Sequence, residues 1–223
     1  MVLPGGRYSA PRLLGKDRAD GGTGDTGGEV RAVCDHAHSL ERHVHLDGAR
    51  LANAAATLGA SLREMTTDAG VDVVSLGGTK NGLMLGEAVV VLNPEAAPHV
   101  DYVRKSSTQL ASKMRFVSAQ LEVLFGTDLW LLNATHANAM AQRLAAGLEG
   151  ILDVVRPVQA NAVFVRLPAD VAERLRRSYE FYDWDESVGE VRWMTAWDTS
   201  PEQVDAFVAD VRTALLDPDR VTA

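Results

Sequence analysis

The 223-residue chain is 46% hydrophobic and carries a formal net charge of −8. That acidic balance excludes general nucleic-acid binding, which needs clustered Lys and Arg against phosphates, and no run of 18 apolar residues is present to span a bilayer. With a single cysteine, Cys34, and no apolar signal segment before residue 30, we expect a soluble cytoplasmic protein without an internal disulfide.

Residues 1–28 hold eight of the 19 glycines and little hydrophobic periodicity, so we expect a disordered glycine-rich leader. Gly21-Gly22-Thr23-Gly24-Asp25-Thr26-Gly27-Gly28 has no strand before it and no Gly-Lys-Ser/Thr after it, which rules out a nucleotide loop. From Glu29 the spacing of Val30, Val33 and Cys34 predicts a helical face. His43 to Asp47 reads as a strand, about Ala49 to Leu58 as a helix with room for more helix to about Thr67, and Val71 to Leu76 as a second strand. Strand, helix and strand over about 30 residues form a βαβ unit with parallel neighbouring strands. Glu87 to Leu92 follows as a third strand, a hairpin partner or neighbour, closed by Asn93-Pro94. Helices are expected from about Ala97 to Phe125 and from Asn133 to Leu152. Beyond residue 155 the texture changes to half-buried strands at Asn161–Leu167, Tyr179–Trp184 and Val191–Trp197. A last helix is signalled by Ser200, Pro201 and Gln203, with Val204, Phe207, Val208, Val211 and Leu215 as its apolar stripe. The expected organisation is therefore a leader over 1–28, a larger α/β domain over 29–154 and a small α+β domain over 155–223.

In parallel α/β sheets, ligands sit beyond the carboxyl ends of the strands. Asp47 ends one strand, and Lys80 follows the end of the next in the glycine-rich turn Gly77-Gly78-Thr79-Lys80-Asn81-Gly82. A lysine desolvated there would be a nucleophilic amine able to form a Schiff base with an aldehyde. Lysine and carboxylate at adjoining strand ends suit pyridoxal phosphate, the carboxylate keeping the pyridine nitrogen protonated. Arg50 is placed to offer a forked donor to the same rim. Plainer roles suit each of them as well: Lys80 as a solvated loop residue, Asp47 as a helix cap, Arg50 as a surface residue.

His45-Leu46-Asp47-Gly48-Ala49-Arg50-Leu51 and Ser75-Leu76-Gly77-Gly78-Thr79-Lys80-Asn81-Gly82 resemble the two hallmark motifs of low-specificity L-threonine aldolases. These are β-eliminating lyases with the aspartate-aminotransferase-like fold (fold type I) of pyridoxal-phosphate enzymes. The resemblance continues through Gln109–Arg115, Asn133–Met140 and Val191–Thr199, and covers about residues 29 to 216. It implies an α/β fold: part of a large domain with a mostly parallel sheet, followed by the α+β small domain. It also implies retro-aldol cleavage of a β-hydroxy-α-amino acid, L-threonine to glycine and acetaldehyde, with pyridoxal 5'-phosphate as cofactor. By matching position, Lys80 would be the catalytic Schiff-base lysine and Asp47 the pyridine-nitrogen partner. Arg50 would contact the phenolic oxygen and the substrate carboxylate, and Arg192 would clamp the α-carboxylate. A homodimer or homotetramer is implied, with Lys105 and Arg115 as candidates to reach a neighbouring subunit's site. The family's chains extend further on the N-terminal side, where the phosphate cradle and a ring-stacking histidine lie, so the chain reads as N-terminally truncated.

Three other readings compete, one of them another lyase of the same fold acting by β-elimination, against which the Asp47-Gly48-Ala49-Arg50 motif favours the aldolase. A truncated homologue that only folds or dimerises would lack activity. A zinc site would draw on the run Cys34, His36, His38, His43, His45 and Asp47, completed by His99 or His136, since His-x-His at a strand end is a plausible ligand pair.

Overall fold

The computed structural model describes residues 26–107 and 110–216, so most of the expected leader lies outside the described residues. Its last residues do not belong to a leader. Helix α1 spans Gly27–Ser39, starting ahead of Glu29, because Thr26 and Glu29 form a reciprocal capping box (Thr26 N–H to Glu29 Oε2, 2.7 Å). Val30, Cys34 and Ala37 form its buried stripe, while Val33 faces outward at 41% exposure, one residue off the expected face.

Strand β1 (His45–Gly48), helix α2 (Leu51–Leu58) and strand β2 (Val73–Gly77) make the βαβ unit. β1 and β2 are parallel neighbours, with Asp47 opposite Ser75 and Gly48 opposite Leu76. Helix α2 does not run on to Thr67. Gly59 takes a left-handed conformation (φ 62°) and closes the helix, and residues 61–70 continue as turns. Strand β3 (Glu87–Val91) returns as an antiparallel hairpin on β2, so this three-stranded sheet is mixed. Its core gathers Val30, Cys34, Val44, Leu46, Leu51, Met65, Val71 and Val74.

The long helix expected from Ala97 to Phe125 is two helices, α3 (Val100–Ser106) and α4 (Met114–Phe125). At the first break Ser106 Oγ donates to the Val103 carbonyl, a local bond that competes with helix continuation. Helix α5 (Leu129–Gly147) begins earlier and ends earlier than its apolar pattern predicts. It packs against α2 on one side and against the second sheet on the other.

The second sheet is antiparallel, in the order β4-β6-β5: β4 Ala162–Arg166, β5 Tyr182–Asp185 and β6 Glu190–Met194. A short helix, α6 (Ala169–Leu175), stands between β4 and β5 where no helix was expected. Tyr179 is not in a strand. Its ring packs edge-on against Phe207 and its hydroxyl donates to Asp210. The last helix, α7 (Pro201–Leu216), starts at the expected cap: Gln203 N–H donates to Ser200 Oγ and Ser200 N–H to Gln203 Oε1. Its Val204, Val208 and Val211 join Leu144 and Leu148 over Val163, Val165, Val191 and Trp193 as a second core. Among the described residues no helix is long and apolar enough to cross a membrane.

Candidate active site

The rim begins where β1 and β2 end side by side. The backbone is so close there that a Cβ on Gly77 would lie 2.6 Å from the Ala49 carbonyl oxygen, and one on Gly48 2.9 Å from that of Ser75. Glycine is required for this approach, not only to stop a strand. Beyond β2 the chain makes one 3-10 turn, Thr79–Asn81, carrying Lys80. Glu87 holds the entrance, accepting from the Gly78 and Thr79 N–H groups at 3.3 and 3.2 Å. Asn81 holds the exit. It is buried, its Nδ2 donates to the Trp130 carbonyl (2.9 Å), and its own carbonyl accepts from Asn133 Nδ2 (2.9 Å), so the turn is clamped to α5. Gly82 then lies against Asn133 and the ring of Trp197, which brings the segment after β6 to the same place.

Lys80 itself is exposed. This corrects the expectation of a desolvated lysine: anchoring falls to its neighbour Asn81, and the turn presents Lys80 outward. Asp47 is likewise exposed, and its Oδ1 accepts from the Ala49 N–H (3.1 Å), a small turn that steers the chain from β1 toward α2. Asp47 is not the helix cap expected as the plainer reading, since Arg50 holds the N-cap position of α2 and Ala49 precedes the helix. Below it on the strand, His45 Nε2 and Ser75 Oγ are hydrogen-bonded at 2.7 Å across β1 and β2.

Arg50 and Arg192 are the unusual pair. Arg50 occupies the N-cap position of α2 and Arg192 the middle of β6, yet the charge of Arg192 acts on Arg50. Burial first, and then this like charge, push the Arg50 guanidinium below its ordinary range, with Asp47 opposing. Burial lowers Arg192 as well. Each has a buried Nε with no hydrogen-bond partner. A partly buried guanidinium with an unfilled donor is suited to an anion such as a carboxylate.

The other expected participants are elsewhere. Lys105 on α3 and Arg115 on α4 are exposed, Arg115 lying over the Phe116 ring. The zinc reading finds no assembly. His38 and His43 both lie against Asp72 (2.9 and 3.6 Å), His136 bonds the Thr199 carbonyl (2.7 Å), and among the described residues no three His, Cys, Asp or Glu side chains converge as a metal group. Sequence reasoning passed over Asn81, Glu87, Asn133 and Trp197 as supports. Asn81, Asn133 and Trp197 stand inside the motif segments around Lys80, His136 and Arg192, and that placement was the available signal.

The chain is similar to known proteins in both sequence and fold. The family model described as beta-eliminating lyase matches residues 18–170. The chain is 40% identical over 215 residues to a low specificity L-threonine aldolase of Pseudomonas aeruginosa, covering 93% of this chain and 61% of that protein. A second protein of that description, from a Pseudomonas species, is 40% identical over 190 residues, covering 84% of this chain and 55% of its own length. The solved threonine aldolase of Leishmania major superimposes with a TM-score of 0.79 at 26% identity, over 93% of this chain and 60% of that one. The fold is that of the type I pyridoxal-phosphate enzymes. The chain thus spans less than two thirds of the length of these relatives.

Proposed function

Starting from its membership of the beta-eliminating lyase family, we propose that this chain serves pyridoxal-phosphate-dependent retro-aldol cleavage of β-hydroxy-α-amino acids, L-threonine to glycine and acetaldehyde. The observation that carries the reading is the Arg50 and Arg192 pair, whose unfilled buried donors suit an amino-acid carboxylate, beside a rim bearing Asp47 and Lys80.

The residues present fit the cofactor. The amine of Lys80 is accessible on a clamped turn, Asp47 offers a carboxylate to a ring nitrogen, and Arg50 offers forked donors to an anionic oxygen. When bound, pyridoxal phosphate supplies an electron sink for the carbanion left as the bond between α- and β-carbons breaks. In this division of work, Lys80 would hold the cofactor covalently and Asp47 would keep a proton on its ring nitrogen. Arg50 and Arg192 orient the substrate carboxylate so that the bond to be broken is presented to the ring. The family's homodimer or homotetramer belongs to the same reading, with Lys105 and Arg115 reaching a second copy. The domain division at residues 154 and 155 is also proposed, although the second core draws Met140, Ala141, Leu144 and Leu148 of α5 across it.

The test is chemical labelling. The purified chain is mixed with pyridoxal phosphate, reduced with borohydride and mapped by mass spectrometry. Added mass is expected on Lys80 and lost in Lys80→Ala, together with any threonine cleavage. Mass scattered over surface lysines, or none, would leave a homologue that folds or dimerises without activity.

A further inference from the structure

Arg192 lacks what usually fixes a partly buried arginine. No acidic side chain pairs with it among the described residues, its Nε is unsatisfied, and Arg50 repels it. It is held instead by an aromatic face: its guanidinium carbon lies 5.0 Å from the centroid of the Trp184 ring. Trp184 in turn meets Phe164 edge-on, with centroids 5.0 Å apart and planes at 74°. On the far side of Phe164 lies the guanidinium of Arg156, at 4.7 Å, which is ion-paired to the buried Glu190. The result is a column, Arg192, Trp184, Phe164, Arg156, Glu190, on the face of the second sheet opposite its helix-covered core.

The backbone is shaped to build this column. Phe164 and Arg192 are register partners on β4 and β6 and share a face. On β5, Asp183 pairs with Val191 and Asp185 with Glu190, so Trp184 falls at a register shift. Such a bulge re-aims a side chain. Trp184 is accordingly 8% exposed, while Tyr182, Asp183 and Asp185 around it are exposed.

We infer that Trp184 is a positioning residue for substrate recognition, orienting the Arg192 guanidinium toward the amino-acid carboxylate. The chemistry favours a ring over a carboxylate partner. An aspartate here would occupy the forked N–H donors and compete with the substrate, whereas a π face attracts the cation and leaves its donors in place. This inference rests on the reading of Arg192 as the carboxylate clamp.

Glycine affinity of the cofactor-loaded chain, measured by calorimetry, tests both readings separately. Arg192→Ala is expected to weaken glycine binding at least tenfold; if it does not, the clamp reading fails. Given that loss, Trp184→Leu is expected to weaken binding about five- to tenfold and Trp184→Phe, which keeps a ring face, less than about threefold. Equal effects of Leu and Phe, or no effect of either, overturn the positioning role. A parent chain that binds no glycine overturns both readings. In case Trp184→Leu fails to fold, the parent is labelled with 5-fluorotryptophan and the resonance assigned through Trp184→Phe. Its ¹⁹F signal is expected to shift as glycine saturates the site, and an unmoved signal refutes the inference.

Discussion

On the β1–β2 side Asp47 sits near the end of β1 and Lys80 on the turn just past β2, and what holds them is backbone packed to glycine distance. On the β6 side Arg192 projects from the middle of a strand and is held by ring faces. The first arrangement tolerates no added atom but leaves Lys80 and Asp47 exposed and accessible. The second buries its cation partly and relies on side-chain geometry, so it is the more open to substitution and the more dependent on a particular residue type. A rim that must accept a cofactor needs reach, and a clamp that must discriminate needs a fixed angle.

The largest effect that would break this comparison is expected from Gly77→Ala. Its methyl would enter the space of the Ala49 backbone, which cannot swing aside as a side chain can, and should cost about 3 kcal/mol. Urea unfolding measures it, and an unchanged midpoint would mean that the rim is not set by backbone closeness. Asn81→Ala comes next. It removes the side-chain donor to the Trp130 carbonyl and should destabilise by about 1–2 kcal/mol. Hydrogen exchange should accelerate in residues 78–82, and exchange at the parental rate would show that Asn133 alone clamps the turn.

The smallest effect concerns pH and sharpens the contrast away from the rim. Burial pushes Asp72 upward, but hydrogen bonds from the Val44 N–H, His38 and Asn93, with the His38 charge, outweigh it and leave the carboxyl below its ordinary value. An unfolded aspartate titrates near about 3.9. Because the folded value is lower, the native state gains stability above that pH and loses it as pH falls through the folded value. Thermal melts of Asp72→Asn should therefore decline less steeply than the parent between pH 6 and 3. Parallel curves would remove Asp72 from the account, and with it the tie between α1, β1 and the end of β3.

Legibility followed locality. The βαβ unit was readable because its strands are short apolar runs and its crossover is constrained by handedness, and the cap of α7 because Ser200 and Gln203 are three residues apart. The break between α3 and α4 was not read, although the polar run Arg104-Lys105-Ser106-Ser107 that interrupts the apolar pattern was the available signal. Asp47 and Lys80 could be placed on one rim from spacing alone, but the exposure of Lys80 could not, because it depends on which way a clamped turn faces.

The order of residues by itself determined the parallel pair of strands, the lysine and aspartate at their ends, the capped last helix and the family these belong to. Tertiary structure alone decided that Arg50 and Arg192 come together, that Asn81 rather than Lys80 is buried, and that Trp184 turns inward at a bulge. The physical reason is range. Helix caps and strand periodicity act over a few residues, whereas Arg50 at the start of α2 and Arg192 in β6 are far apart in sequence, and no local pattern encodes an influence that only packing creates.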